Sequence, residues 1–316
     1  MKGVILDADS LGNVDLDPIT TLAGTWSVYG FTTHEQVSER IADANIVLTN
    51  KVVVGPAEIN KAGNLGLISV MATGTNNIDL AAARQHRIDV CNAVAYATPS
   101  VVQHTISLML ALANNLISYA ADVRAGRWQE SRVFCLLDHP ITELSGKKLG
   151  ILGYGELGSA VANVAQAFGM EILVSGRPGE PATAGRHAFD AMLAEVDYLS
   201  LHCPLTEATR EIINATTLGQ MKQGSFLINT ARGGLVNSLD LIAALRSGHI
   251  AGAALDVVNV EPPAADEPLL DPTIPNLIVT PHSAWAAIES RQRLVRQMQE
   301  NIQAWQQGKP VRCVND

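Results

Sequence analysis

The feature that most constrains this chain is a regular alternation, from Leu149 onward, of short apolar runs with amphipathic stretches. Each run is too uniformly apolar for a strand with one face in water, which is typical of strands covered on both faces of a parallel sheet. The stretches between the runs have helical periodicity, so the pattern predicts repeated βα units and an α/β fold with a doubly wound parallel sheet. The predicted strands are residues 149–152, 172–175, 198–201, 226–229, 251–255 and 277–280.

A glycine-rich turn follows the first of these strands. It reads Gly153-Tyr154-Gly155-Glu156-Leu157-Gly158 and leads into a helical stretch. In such a turn the glycines let the chain reverse, approach a pyrophosphate closely and pack the helix against the strand. The free N–H groups at the start of the helix then face the phosphates. The order of strand, turn and helix therefore predicts a dinucleotide site.

The acid that usually binds the adenosine ribose of NAD, about 20 residues further on, is missing here. The second strand is followed by Gly176-Arg177-Pro178. Arg177 suits the 2′-phosphate of NADP, and it equally suits a solvated surface position. The predicted cofactor is therefore NAD(H) or NADP(H).

A weaker series of βα units occupies the first third of the chain, with predicted strands at residues 4–6, 46–49, 67–70 and 89–91. A chain of 316 residues exceeds the roughly 250 to 300 residues that one hydrophobic core usually serves. We predict a Rossmann dinucleotide-binding domain over residues 99–285 and a smaller, flavodoxin-like α/β substrate domain from residues 1–98 and 286–316. One continuous helix is expected from Val101 to Tyr119.

Polar residues follow the later strands of the predicted sheet, where open α/β sheets bind their ligands. They are His202-Cys203-Pro204, Thr230-Ala231-Arg232, Asp256 and His282. Reducing a 2-oxo acid needs a hydride donor, a proton donor and a cation for the carboxylate or carbonyl. His282 suits proton transfer with Glu261 as its orienting acid, and Arg232 suits a planar carboxylate. As single residues, a packed histidine and an exposed turn glutamate are the simpler interpretations; together, the three favour catalysis.

Composition excludes several other classes of protein. A formal charge of −9 without a dense Lys/Arg block argues against nucleic acid or an anionic membrane as a partner. The four cysteines lack CxxC spacing, which favours reduced thiols in a cytoplasmic protein over disulfides or a metal site. The N-terminus lacks the apolar run of a signal peptide, and the longest apolar stretch is too short to span a bilayer.

Residues 124–145 form a long aromatic loop, predicted either as an oligomer contact or as packing over the core.

These motifs resemble the D-isomer-specific 2-hydroxyacid dehydrogenase family over nearly the whole chain. The resemblance is carried by residues 153–158, 229–234 (Asn-Thr-Ala-Arg-Gly-Gly), 254–257 leading to Glu261-Pro262, and Thr280-Pro281-His282. Two further segments, Gln103-His104-Thr105 and residues 137–141, are most similar to the glycerate dehydrogenase or hydroxypyruvate reductase branch.

The resemblance implies a catalytic trio, a cofactor site and a substrate site. The trio is Arg232, Glu261 and His282. The implied cofactor-binding residues are Thr73, Gly153, Gly155, Glu156, Leu157, Gly158, Arg177, Cys203, Pro204, Thr230, Ala231, Asp256, Ser283 and Trp285. The substrate would contact Ala72, Thr73, Gly74, Arg232 and His282. Homodimers are usual in the family. Trp285 occupies a position that is commonly small, and Gly176 one that is commonly Asp in members that use NAD.

The leading hypothesis is reduction of hydroxypyruvate or glyoxylate to the D-2-hydroxy acid by NAD(P)H, or the reverse reaction. The alternatives are an NAD(H)-sensing binding module of the corepressor type and a dehydrogenase for another small acid.

Overall fold

The computed structural model describes residues 1–22 and 24–315, which form two compact units. The first unit contains residues 1–97 and 285–316, and the second contains residues 98–284. Each unit has its own parallel sheet with helices packed against it. The predicted α/β class is confirmed. The substrate and dinucleotide roles assigned to the two parts of the chain remain predictions.

The first unit has a five-stranded parallel sheet in the order β2-β1-β3-β4-β5, which is the flavodoxin-like order. Its strands are β1 (Lys2–Ile5), β2 (Thr25–Val28), β3 (Ile46–Thr49), β4 (Leu67–Val70) and β5 (Asp89–Cys91). Its helices are α1 (Asp17–Thr20), α2 (His34–Ile41), α3 (Pro56–Lys61), α4 (Leu80–Gln85) and the C-terminal helix Ile288–Gln306. Sequence reasoning missed β2, because this edge strand is only partly buried and has no clear apolar run.

The second unit has a six-stranded parallel sheet in the order β11-β10-β9-β8-β6-β7. Its strands are β6 (Lys148–Leu152), β7 (Glu171–Val174), β8 (Tyr198–Leu201), β9 (Ser225–Asn229), β10 (Ile250–Leu255) and β11 (Leu277–Val279). Its helices are α5 (Thr98–Ala113), α6 (Leu116–Arg124), α7 (Glu156–Ala167), α8 (Phe189–Leu193), α9 (Ala215–Gln220) and α10 (Ser238–Arg246). A parallel bridge between Ser175 and His187 extends the edge beyond β7, and with it the order is that of a Rossmann sheet.

The prediction of one helix from Val101 to Tyr119 is wrong. Asn115 has a left-handed backbone with φ of 47°, and a residue in this conformation cannot continue a right-handed helix. The chain therefore divides into α5 and α6, which are bent by 62° at the break. No single helix in the described part of the chain has the length and hydropathy of a membrane span. Helices α5 and α6 have that length and hydropathy only when the two are counted together.

Candidate functional site

The glycine turn connects β6 to α7, and two of its glycines cannot carry a side chain. Gly153 has φ of +97°, and a Cβ atom there would lie 2.5 Å from the backbone nitrogen of Cys203. A Cβ atom on Gly158 would lie 2.1 Å from the carbonyl oxygen of Gly153. Gly155 precedes α7 in an extended conformation, with open space around its Cβ position. The turn thus directs the N–H groups at the start of a twelve-residue helix beyond the end of the strand.

The different surroundings of Gly158 and Gly155 lead to a prediction. Gly158→Ala should lower the free energy of unfolding by about 3 kcal/mol or more, because its methyl group collides with backbone that cannot move away. Gly155→Ala, the matched control, should cost less than about 1 kcal/mol and instead weaken dinucleotide binding, since the methyl group occupies the space that a pyrophosphate needs. Chemical denaturation and NADH fluorescence titration measure the two effects. Equal stability of the two variants would contradict this account of the turn.

An arginine side chain that was not predicted from the sequence, Arg186, lies at the end of β7. Arg177, the predicted one, is 84% exposed, and its charged partner is Glu180 at 3.7 Å. Arg186 instead donates from Nη1 to the carbonyl oxygen of Ser175 (3.2 Å), and its guanidinium lies 5.6 Å from the ring centre of Tyr154 in the glycine turn. Arg186 is placed there by the bridge beside β7, a pairing that no local sequence pattern indicates.

Two ionisable residues after β8 are held in their neutral forms. Burial lowers the pKa of His202 to about 4, and its Nε2 lies 2.8 Å from the hydroxyl oxygen of Ser200. Burial raises the pKa of the Cys203 thiol to about 11. At neutral pH these residues are therefore an uncharged imidazole and a thiol, and neither suits ionic or nucleophilic chemistry.

The pKa of His202 predicts how stability depends on pH. Because this pKa falls from its usual 6.5 to about 4 in the folded protein, the unfolded chain binds more protons between these values. The free energy of unfolding should therefore fall on acidification through this window, by up to about 3 kcal/mol from His202 alone. His202→Asn should lose this share of the pH dependence. Urea denaturation of both proteins at about pH 7 and pH 4.5 tests it; identical slopes against pH would refute the assignment.

The turn after β9 places Arg232 at the surface of the second unit. The buried Asn229 side chain donates to the Arg232 carbonyl oxygen (2.8 Å) and accepts from the N–H of Ala231 (3.0 Å). A Cβ atom on Gly233 would lie 2.1 Å from the carbonyl carbon of Val258, so glycine allows this turn to approach the one after β10. Asn229 and Gly233 thus position the arginine, although neither was among the predicted site residues.

Asp256, after β10, anchors the segment that carries the predicted catalytic histidine. Its side chain is 1% exposed. The carboxylate accepts from the N–H groups of Ser283 (2.9 Å) and Ala284 (2.8 Å) and from the hydroxyl of Thr280 (2.5 Å), and His104 Nε2 lies 3.4 Å away. Burial acts to raise the pKa of Asp256, but hydrogen bonds from His104, Thr280 and the two N–H groups outweigh it and hold this pKa below its usual value. The sequence indicates His104 only as part of the family-like segment Gln103-His104-Thr105, and its contact with Asp256 is seen only in the tertiary structure.

His282 and Glu261 are in direct contact. His282 Nδ1 lies 2.5 Å from Glu261 Oε2, and Glu261 Oε1 accepts from the N–H of Val258 (3.1 Å). His282 has a left-handed backbone with φ of 51°, an uncommon conformation for a residue other than glycine. Its N–H donates to the carbonyl oxygens of Asp256 (2.8 Å) and Thr280 (2.9 Å), which holds it there. The acid is thus fixed on Nδ1, and Nε2 is the ring nitrogen available for proton transfer.

A pocket of about 150 Å³ brings the predicted trio together. Its lining includes Arg232, Glu261 and His282, together with Leu205 and Val258. A larger cavity, about 560 Å³, lies near the amino ends of β9, β10 and β11. Since open α/β sheets bind ligands beyond the carboxyl ends of their strands, the smaller pocket is the candidate site.

The remaining predicted cofactor residues of the second unit lie at the same carboxyl ends or in the turns that follow them. The Thr230 hydroxyl lies 3.1 Å from that of Thr105, and Glu156 Oε1 accepts from the hydroxyl of Thr98. The other positions are Leu157 in the first turn of α7, Pro204 after β8 and Ser283 after His282. Their contacts with a dinucleotide stay predictions.

Four predicted residues belong to the first unit: Ala72, Thr73, Gly74 and Trp285. The loop after β4 is held in place, because the Asn92 side chain donates to the carbonyl oxygen of Thr73 (2.8 Å) and the N–H of Ala93 donates to that of Ala72 (3.0 Å). Trp285 packs edge-on against Tyr96, with ring centres 6.4 Å apart. Their roles toward a substrate or cofactor stay predictions.

A Rossmann sheet with its glycine turn, and an acid-backed histidine beside an arginine at the same edge, define a dehydrogenase of the nicotinamide-dependent class. Comparison with known proteins identifies the family. The sequence model of the D-isomer specific 2-hydroxyacid dehydrogenase NAD binding domain matches residues 106–284. The chain belongs to the D-isomer-specific 2-hydroxyacid dehydrogenase family, and it is an oxidoreductase with the NAD-binding domain of that family.

Individual relatives cover nearly all of the chain. It is 42% identical to a glycerate dehydrogenase of Methylorubrum extorquens over 89% of both chains. It is 38% identical to a hydroxypyruvate reductase of Blautia hydrogenotrophica over 100% of both chains. Among solved structures, the TT0316 protein of Thermus thermophilus superposes with a TM-score of 0.88 at 31% identity, covering 99% of this chain and 100% of that one. The predicted family, its branch and its fold are thereby confirmed.

Proposed function

We propose that the protein reduces a small 2-oxo acid, hydroxypyruvate or glyoxylate, to the D-2-hydroxy acid with NADH or NADPH, and catalyses the reverse oxidation. The observation that carries this proposal is the 2.5 Å contact between His282 Nδ1 and Glu261 Oε2 in a pocket that Arg232 also lines. Relatives named glycerate dehydrogenase and hydroxypyruvate reductase support the choice of substrate class.

Each member of the trio has a distinct part in this reaction. The bound dinucleotide supplies the hydride that reaches the carbonyl carbon. His282 donates a proton from Nε2 to the carbonyl oxygen, and Glu261 orients the ring and stabilises the positive charge of the protonated imidazole. Arg232 binds the carboxylate of the acid and polarises its carbonyl group. In the oxidation, His282 accepts the proton instead.

The residues around the glycine turn fit a dinucleotide. The N-terminus of α7 and the open space at Gly155 suit the pyrophosphate, and the neutral Cys203 suits an uncharged part of the cofactor. Asp256 is less suited to the cofactor contact that the family resemblance implies, because its oxygens already accept from Thr280, Ser283 and Ala284. We propose that Asp256 positions His282.

The substrate is tested by steady-state kinetics with hydroxypyruvate, glyoxylate and pyruvate, each with NADH and NADPH. Turnover on hydroxypyruvate or glyoxylate is the expected result. Tight dinucleotide binding with no turnover on any of the three acids would refute this function and favour the sensing module. Turnover confined to another small acid would place the protein elsewhere in the family.

We propose that Arg186 binds the 2′-phosphate of NADPH and confers a preference for that cofactor. Its guanidinium donates to the carbonyl oxygen of Ser175, just after β7, and contacts the ring of Tyr154 in the glycine turn. Arg186→Ala should weaken NADPH binding about tenfold or more, since a hydrogen bond to a charged group is lost, while NADH binding changes by less than about twofold. Arg177→Ala is the matched control with little expected effect. Isothermal titration with each cofactor measures these constants, and a loss confined to Arg177→Ala would transfer the role to Arg177.

We also propose a homodimer formed through the segment between α6 and β6. Its apolar side chains are strongly exposed in the single chain, with Phe134 89% and Leu137 81% exposed, and Trp128, Val133 and Ile141 are exposed as well. A concentration of exposed apolar groups of this kind marks an interaction surface. Sedimentation equilibrium should give a dimer for the wild type and a monomer for the Phe134→Ser, Leu137→Ser double variant. A monomeric wild type would refute the proposal.

A further inference from the structure

Two cysteines face each other at the edge of the first unit's sheet. The N–H of Asn92 donates to the carbonyl oxygen of Arg312 (3.1 Å), and the N–H of Val314 donates to that of Val90 (2.9 Å). Between these hydrogen bonds, Cys91 and Cys313 form an antiparallel bridge, and their Sγ atoms are 3.4 Å apart. The C-terminal segment thus adds a short antiparallel pairing to β5, and the two thiols lie side by side within it.

The backbone geometry of this pair suits a covalent bond. Cys91 and Cys313 form a non-hydrogen-bonded pair, because the hydrogen bonds are made by the residues on either side of them. In such a pair of antiparallel strands the two Cα atoms are about 4.5 Å apart. Disulfides span Cα separations of roughly 4.4 to 6.8 Å. The sulfur atoms can therefore bond by rotation of the two side chains, with both strands remaining in place.

We propose that Cys91 and Cys313 are a thiol–disulfide couple, oxidised by a small-molecule disulfide such as oxidised glutathione. Cys91 is fully buried and Cys313 is partly exposed, so Cys313 is the thiol that meets the oxidant. Its thiolate attacks oxidised glutathione, forming a mixed disulfide and releasing one reduced glutathione. The Cys91 thiolate then attacks Cys313 Sγ, forming the internal disulfide and releasing the second. Two cysteines are oxidised and one glutathione disulfide is reduced.

The bond would join the end of the chain to the strand beside a predicted substrate loop. Asn92, next to Cys91, holds the carbonyl oxygen of Thr73 (2.8 Å). Its own carbonyl oxygen accepts from Asn301 (3.0 Å), which in turn accepts from Arg312 beside Cys313 (2.6 Å). The cysteines are 222 residues apart in sequence, so closing this loop greatly restricts the unfolded chain. We therefore expect the oxidised protein to be more stable and its loop after β4 to be more constrained.

The test compares the full chain after incubation with dithiothreitol or with oxidised glutathione, followed by alkylation, intact mass measurement and peptide mapping. The expected result is a loss of two hydrogen atoms and one cross-linked peptide pair that contains Cys91 and Cys313. The thermal midpoint should rise by about 3 °C or more and return with dithiothreitol. Cys313→Ser should abolish the cross-link. Cys135→Ser, the matched control, removes another partly exposed thiol and should retain it.

Several outcomes would overturn the proposal: two intact thiols after oxidation, a persistent glutathione adduct on Cys313, a cross-link to Cys135 or Cys203, or an unchanged thermal midpoint. Peptide mapping of the wild type decides the pairing even if Cys313→Ser fails to fold. The link to substrate binding rests on the proposed function, and we expect oxidation to change KM for the 2-oxo acid at least about twofold with little change for the dinucleotide. Absence of turnover would refute the proposed function and leave the mass result valid.

Discussion

Replacing His282 by alanine is expected to lower kcat by about 10²- to 10⁴-fold, the range that a positioned general acid supplies. The alanine leaves the carbonyl oxygen without a proton donor, and Glu261 loses the ring that it contacts at 2.5 Å. The dissociation constant of NADH should change by less than about threefold, because the variant keeps the glycine turn and α7. Steady-state kinetics and NADH fluorescence titration, run in parallel, separate the two effects.

His249→Ala provides a matched control in the same unit. The His249 ring lies near the amino end of β10 and contacts the carbonyl oxygen of Leu218 (2.9 Å), away from the pocket. Its loss should leave kcat within about twofold of the wild type. If His282→Ala retained full turnover, the proton donor would be another group and the proposed role of the trio would be wrong.

Arg232→Ala should lower kcat/KM for the 2-oxo acid by about 10³-fold, with a large part of the loss in KM. Two charge-assisted hydrogen bonds to a carboxylate disappear, each contributing about 1.5 to 3 kcal/mol. Arg232→Lys keeps the positive charge but lacks the planar pair of donors, so we expect a smaller loss of about 10- to 10²-fold. Measurement of kcat and KM for hydroxypyruvate in both variants tests this order.

The control for Arg232 is Arg246, whose guanidinium pairs with Asp271 (2.9 Å) at the surface. Arg246→Ala should leave kcat/KM nearly unchanged. Activity of Arg232→Lys equal to that of the wild type would mean that the planar geometry of the guanidinium is irrelevant, and activity equal to that of Arg232→Ala would mean that the positive charge alone contributes nothing. Unchanged KM in both would remove Arg232 from the substrate site.

Several elements of the fold were predictable because they depend on local patterns. Strands buried on both faces consist mostly of apolar residues, and this is why β8, with three apolar residues in four, is found at the predicted residues. The glycine turn was predictable because the tight reversal at Gly153, the close helix packing at Gly158 and the approach of a pyrophosphate at Gly155 each favour a residue without a side chain. The edge strand β2 was not predictable, because it is only partly buried and lacks a clear apolar run. The break between α5 and α6 was not predictable either, because it depends on the left-handed backbone of the single residue Asn115.

The candidate site divides in the same way. His282, Glu261 and Arg232 follow different strands and were singled out by residue type and position, and the structure brings them to one pocket. Arg186 and His104 were not predicted from the sequence, because each is marked out by a contact with a residue distant along the chain. Arg186 lies beside Tyr154, and His104 lies beside Asp256. Such contacts depend on the order of the strands in the sheet and on the path of the loops. Neither can be derived from the hydrophobic periodicity of one sequence.

The sequence by itself determined the class of the protein. The alternation of strands and helices, the glycine turn and the residues after each strand are local patterns, and they can be recognised without knowing the tertiary contacts. The tertiary structure decided which of those residues lie in contact. It placed Glu261 against Nδ1 of His282, joined both oxygens of Asp256 to the backbone next to His282, and placed Arg186 rather than Arg177 against the end of β7 and the ring of Tyr154. It also brought Cys91 and Cys313 together. The physical reason is that hydrogen bonds and ion pairs act over a few ångströms in space, whatever the distance between their partners along the chain.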